Sequence, residues 1–279
     1  MARQNIFEKL RSKWDMEYEV NCLHRLITSE HAFSHHGSYT FKSYVNLHAF
    51  CEWKNRGHFL NLNDFLDAVS YDDIYDDATD DPEAFLDFIE ILYNIYYIAR
   101  RSFEETDDEW RYYEAYELFP QIADDCLAHF NHKVFYFPDS EQAIVAEDKP
   151  EVTAAVEIEQ DPDIAFEIVR YNHHALKGDI ASKKAILIKL GSQLEPLRPE
   201  LSDRYKNLAT DIFFMLNNLN VRHNNCVPGD AKFKPYVASM TTVELEGWYD
   251  ELYQMILLAK LELDHSERIP KIEALKQNF

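Results

Sequence analysis

Six glycines in 279 residues leave this chain few places for the tight turns that an all-β fold requires. With 46% hydrophobic and 14% aromatic residues the core material is ample, and the length suits one large domain or two modest ones. The expected fold class is all-α, an N-terminal helical domain followed by a C-terminal four-helix bundle.

Punctuation is clearest in the C-terminal part. Asp161-Pro162-Asp163 supplies a cap, a proline at the first helical position and an acidic first turn, and Gly178 is the expected stop. Asp179 restarts the chain, and Ile180, Leu187, Leu190 and Leu194 form an apolar stripe as far as Pro196 and Pro199. Ser202 is the expected cap of a third helix, in which Tyr205, Leu208, Ala209, Ile212, Phe213, Leu216 and Leu219 keep helical spacing. Thr241 and Glu244 have capping-box spacing before a fourth helix, with Leu245, Trp248, Tyr249, Leu252, Ile256, Ala259 and Leu263 as its core face.

In the N-terminal part, Asp81-Pro82 opens a helix running to about Arg101 that is apolar on nearly every side and so belongs at a domain centre. Further helices are expected near 4–28, 42–55, 63–70 and 110–130. Val134-Phe135-Tyr136-Phe137 reads as a lone strand or an extended connector. Residues 138–160, polar and holding Pro138 and Pro150, read as a linker between an acidic domain at 1–137 and the bundle at 161–279.

The formal charge of −22 argues against a general binder of nucleic acid or anionic membranes. Residues 1–150 hold 13 Lys+Arg against 30 Asp+Glu, and 151–279 hold 15 against 20, so the acidic front half is the expected surface for a protein partner. Cys22, Cys51, Cys126 and Cys226 are far apart with no CxxC pair, as in a reduced cytoplasmic protein. No apolar run suits a signal peptide or a membrane span, and no membrane partner is expected.

One segment stands apart. Leu216-Asn217-Asn218-Leu219-Asn220-Val221-Arg222-His223-Asn224-Asn225 ends an apolar helix in amides around an Arg-His pair. Amide side chains compete with the backbone for hydrogen bonds, so the segment is either a demanding helix stop or a polar site. As a stop, Arg and His complement the helix dipole and an Asn takes the left-handed closing position. As a site, helical extrapolation puts Asp211, Met215, Asn218 and Arg222 on one stripe, and His223 on the line through Ile212, Leu216 and Leu219. Arg222 is then an anion stabiliser and His223 a general acid or base, the minimum for metal-free RNA cleavage. Asn218, Asn224 and Asn225 would orient substrate, and Lys183, Lys184 and Glu195 would add charge at the bundle's end.

The order of "DPDIAFEIVRYNHHALKGDIASKKAILIKLGSQLEPLR", "LATDIFFMLNNLNVRHNN" and "WYDELYQMILLAKLELD" resembles the C-terminal helical domain of bacterial abortive-infection proteins, a group similar to the HEPN superfamily. "FCEWKNRGHFLNLNDFL" resembles the front of some uncharacterised members. The resemblance implies an HEPN-like four-helix bundle, a homodimer, antiphage defence and a metal-independent ribonuclease in which Arg222 binds phosphate and His223 moves protons. The HEPN spacing of an Arg, four to six residues and a His is not kept after Arg222, where Val227, Pro228 and Gly229 stand. Arg25 and His31 keep it, at a frequency that chance supplies. The alternative class is a non-catalytic helical adaptor or sensor, with the Arg222 segment as a structural stop.

Other polar groups carry less. Asp125, His129 and His132 have helical spacing for metal, but no His-Asp doublet or HExxH accompanies them, and neither a metal nor another cofactor is assigned. His35-His36 precede Gly37 in an expected loop, and His173-His174 are expected in the first bundle helix. The acidic run at 72–81 lacks the glycine and alternation of a calcium loop and reads as a solvated, helix-capping surface.

Overall fold

Helix starts follow the side chains that satisfy free backbone N–H groups. The computed structural model describes residues 14–28, 32–34, 37–105 and 114–279. In it Asn61, Asp161, Asp179 and Thr241 each accept a backbone N–H two or three residues onward, and Thr241 with Glu244 completes the capping box. The chain is mostly helical, divides into two compact units at 1–147 and 148–279, and carries two small β-hairpins.

The first unit runs α1 (Met16–Thr28), a hairpin of β1 (Ala32–Ser34) and β2 (Gly37–Tyr39), α2 (Phe41–Tyr44), α3 (Leu62–Ala68), α4 (Tyr71–Asp77), α5 (Pro82–Glu105) and α6 (Glu114–His129). A second hairpin, β3 (His132–Phe137) with β4 (Gln142–Glu147), closes it. As its sequence requires, α5 is central: Phe85, Phe88, Ile89, Leu92 and Ala99 are all fully buried. It packs against α4, α6 and β4. Where one helix was expected at 42–55, α2 passes into a π-turn at Val45–Ala49 and two 3-10 turns. The chain bends there as Val45, Ala49, Phe50 and Trp53 turn into the core.

Residues 138–160, expected as a linker, hold β4 and a helix instead. Val134 pairs with Val145 and Phe135 with Ile144 across the hairpin, and Glu141 takes φ +53° in its turn. Side chains of α5 cover the free edge of β4. The Asn94 amide donates to Ala143 O (2.9 Å) and accepts from Ala143 N (3.0 Å), while the Glu90 carboxylate accepts from Val145 N (2.6 Å). Short apolar residues at 143–146 make this strand legible only beside its partner.

The second unit runs α7 (Pro150–Ile158), α8 (Pro162–Arg170), α9 (Ile180–Leu194), α10 (Arg198–Arg204), α11 (Lys206–Asn218), α12 (Pro235–Ala238) and α13 (Thr242–Lys276). The helix α13 is the spine, contacted by α7, α9 and α11 through Tyr249, Leu252, Tyr253, Ile256 and Ala259. Two boundaries and one core residue differ from expectation. Helix α8 ends at Arg170, because the Asn172 amide donates to Ile168 O (3.2 Å) and to the Tyr253 hydroxyl (2.7 Å) and His173 caps a 3-10 turn. Ser202 lies inside α10, which Pro199 starts early, and the break comes at Tyr205 (φ −131°, ψ 55°). Helix α13 continues well past Leu263, and Trp248 is exposed rather than in its core. No helix among the described residues is long and apolar enough to cross a membrane.

Candidate functional site

The amide-rich segment begins where α11 stops. The Leu219 N–H reaches Met215 O (3.0 Å), and Asn220 then adopts φ +59°, the left-handed closing position. This reversal carries Arg222 and His223 off the helical stripes extrapolated through Asp211 and Ile212. The Arg222 N–H folds back onto Leu216 O (3.0 Å).

Asn225 holds the loop together. It is fully buried, and its carboxamide oxygen accepts Asn220 N–H (2.7 Å) while its NH2 donates to Lys232 O (2.7 Å). Its backbone carbonyl accepts Lys234 N–H (2.8 Å). The Asn218 amide turns back one helical turn to Phe214 O (2.8 Å), and the exposed Asn224 side chain reaches, among the described residues, only Asp230, at 3.5 Å. Two of the three predicted orienting amides are therefore bonded to the backbone.

Arg222 is tied down as well. Its guanidinium donates to the Glu195 carboxylate and to Gly191 O (2.8 Å), and stands 5.7 Å from the centre of the Phe213 ring. Gly191 permits this approach of α9 and α11. A Cβ there would stand 2.7 Å from Leu216 Cδ2 and 3.4 Å from Arg222 Nη2. Arg198 pairs with the same Glu195 (3.5 Å) and lies 4.4 Å from the same ring. Two guanidiniums thus complement the C-terminal end of α9 around one carboxylate. Sequence spacing gave Arg198 no signal. The half-exposed His223 ring has no hydrogen-bond partner among the described residues.

The predicted lysines are elsewhere. Lys183 is buried in the first turn of α9, with its ammonium 2.8 Å from both Glu246 and Asp250 and 5.1 Å from the centre of the Tyr171 ring. The Tyr171 hydroxyl donates to Asp250 (2.9 Å), and burial followed by that carboxylate pushes its pKa well up. At 1.5 Å per residue, Lys183 lies about 18 Å along α9 from Glu195. The structure therefore gathers Arg222, Glu195 and Arg198, and separates them from Lys183 and its half-buried neighbour Lys184.

The histidines considered for metal are engaged in packing. His129 stacks on Trp14 (4.0 Å between ring centres) and His132 Nδ1 contacts Phe130 O (2.7 Å). His31, His35 and His36 lie outside the described residues. A cleft in the first unit holds about 20 Å3, room for a water molecule, between Trp53, Tyr97, Tyr136, Arg101 and Glu141. None of the candidate residues lines it.

The first unit also presents a strongly acidic surface. No Lys or Arg occurs from 57 to 99, and Asp64, Asp67, Asp72, Asp73, Asp76, Asp77, Asp80, Asp81 and Glu83 are all exposed across α3, α4 and the start of α5. None of these nine forms an ion pair among the described residues. The chain matches no protein-family model, no curated protein and no solved structure.

Proposed function

We propose that this protein is a non-catalytic helical adaptor or sensor whose acidic front unit docks a basic protein partner. The carrying observation is the run of nine exposed carboxylates across α3, α4 and the start of α5, none ion-paired among the described residues. Such a surface attracts cationic groups and speeds their encounter. The Arg222 segment supports the same reading, because both the guanidinium and Asn225 are used inside the fold.

A basic model peptide serves as the probe. Neutralising Asp72, Asp73, Asp76 and Asp77 to Asn should weaken its binding at low salt by about tenfold more than neutralising Asp203, Asp211, Glu251 and Glu267 on the second unit. Equal effects from the two sets would mean that net charge alone drives binding, and would defeat the proposal.

His223, next to Arg222 in the chain, half-exposed and without a hydrogen-bond partner among the described residues, favours a second reading, the abortive-infection type with an HEPN-like bundle. There the 2′-hydroxyl of RNA attacks its neighbouring phosphate as His223 takes its proton, the P–O5′ bond breaks to leave a 2′,3′-cyclic phosphate, the departing 5′-oxygen takes a proton from solvent, and Arg222 binds the anion after exchanging Glu195 for it. Under the adaptor reading, purified protein leaves RNA intact in the presence of chelator. Cleavage that disappears in both Arg222→Ala and His223→Ala would establish the nuclease instead.

A further inference from the structure

Tyr249 of α13 carries a polar atom that the fold does not use. The residue is fully buried, and its hydroxyl has no hydrogen-bond partner among the described residues. A buried hydroxyl left unbonded costs free energy that a Phe of the same shape would avoid. Its neighbour is the Cys226 sulfur, in the loop that Asn225 pins to Asn220 and Lys232. Burial, followed by the charge of that sulfur, pushes the Tyr249 pKa well up, so the hydroxyl keeps a proton to donate.

The surroundings of Cys226 set it apart from the other thiols. Partly exposed cysteines among cationic groups are the ones that react with oxidants. Cys226 is partly exposed, and Lys232 and Lys234 of its loop are exposed without an ion pair among the described residues. Cys126, by contrast, is buried, and burial pushes its thiol up to about 12. Cys22, Cys51 and Cys126 all belong to the first unit, so the second holds no other thiol to close a disulfide with Cys226.

We propose that Cys226 is a site of reversible oxidation by a hydroperoxide, with the buried Tyr249 hydroxyl as the donor that holds the sulfenic acid. The sulfur attacks one peroxide oxygen, and an S–O bond forms as the O–O bond breaks. The departing oxygen leaves as an alcohol, or as water from hydrogen peroxide, with the proton that the thiol gives up. Sulfur is oxidised by two electrons and the peroxide is reduced by two. The sulfenic oxygen then accepts the hydrogen bond that Tyr249 lacks in the reduced protein. The product persists until an external thiol reduces it or more peroxide carries it to the sulfinic acid. The proposal is independent of the acidic docking surface and goes beyond both functional readings.

The test treats the reduced full chain with hydrogen peroxide, traps sulfenic acid with dimedone at successive times and locates it by peptide mass spectrometry. Cys226 should be trapped, and its sulfenic acid should outlive that of exposed Cys51 by about tenfold, the effect of one hydrogen bond. Tyr249→Phe should remove this advantage and leave Cys51 as it was, without lowering the thermal midpoint of the reduced protein. In urea, where the loop no longer faces Tyr249, the unaltered chain should lose the same advantage. Cys226 left reduced while Cys51 reacts would overturn the proposal. So would a Cys226 sulfenic acid equally long-lived in Tyr249→Phe or in urea, and a midpoint lowered by Tyr249→Phe would show that the hydroxyl already has a partner.

Discussion

Asn225 shows how one side chain can set the course of fifteen residues. Its two amide ends bond to the backbone of Asn220 and Lys232, and its carbonyl receives Lys234. Replacing it with Ala would leave the Asn220 N–H and the Lys232 C=O without the partner that closes the loop. We expect Asn225→Ala to cost about 2–4 kcal/mol by denaturant titration, and Asn224→Ala under about 0.5 kcal/mol. Equal costs would mean that the loop is held by other contacts. The composition of the segment marked it as unusual, and the alternative of a structural helix stop accounts for Asn220 and Asn225 as the structure has them. What residue order could not supply was the partner of Arg222: Glu195 and Gly191 lie 27 and 31 positions upstream and meet it only when α9 packs on α11.

Between elements, the second unit relies on buried charge bridges as well as apolar faces. Lys260 of α13 reaches Glu159 at the end of α7 (2.5 Å) and Gln193 of α9, and both partners of the ion pair are largely buried. Burial alone would raise the Glu159 pKa, but the Lys260 bond, the Asp161 N–H and the Lys260 charge together hold it below the ordinary carboxylate value. A carboxyl depressed in the folded state adds stability above its unfolded pKa of about 4.3, and that stability is lost as pH falls through the lower folded value. Glu159→Gln should therefore cost about 1–3 kcal/mol at neutral pH. The gap from the unaltered protein should close progressively below about pH 4 in urea titrations. A gap that stays constant with pH would assign the loss to packing instead. Capping signals made these helices legible from sequence, as Asp161 and Thr241 show. The break at Tyr205, the π-turn at Val45–Ala49 and β4 were not legible, since each depends on what the chain meets after folding.

Across the molecule, charge is distributed as unevenly as structure. Residues 1–147 hold 12 Lys+Arg against 29 Asp+Glu, whereas 148–279 hold 16 against 21. The first unit therefore carries most of the self-repulsion, and the nine carboxylates on α3, α4 and the start of α5 lack the cations that the second unit threads between its helices. Repulsion among exposed charges weakens with screening, while partly buried ion pairs are affected much less. Raising NaCl from a low level to about 1 M, where the Debye length is about 3 Å, should stabilise the first unit more than the second. Hydrogen exchange resolves the two, with α5 amides reporting one core and α13 amides near Leu252 and Ile256 the other. We expect protection in α5 to rise with salt and that in α13 to stay level or fall slightly. Equal gains in both helices would point to a general salt effect on apolar burial, and the acidic face would then carry no unrelieved strain for a basic partner to relieve.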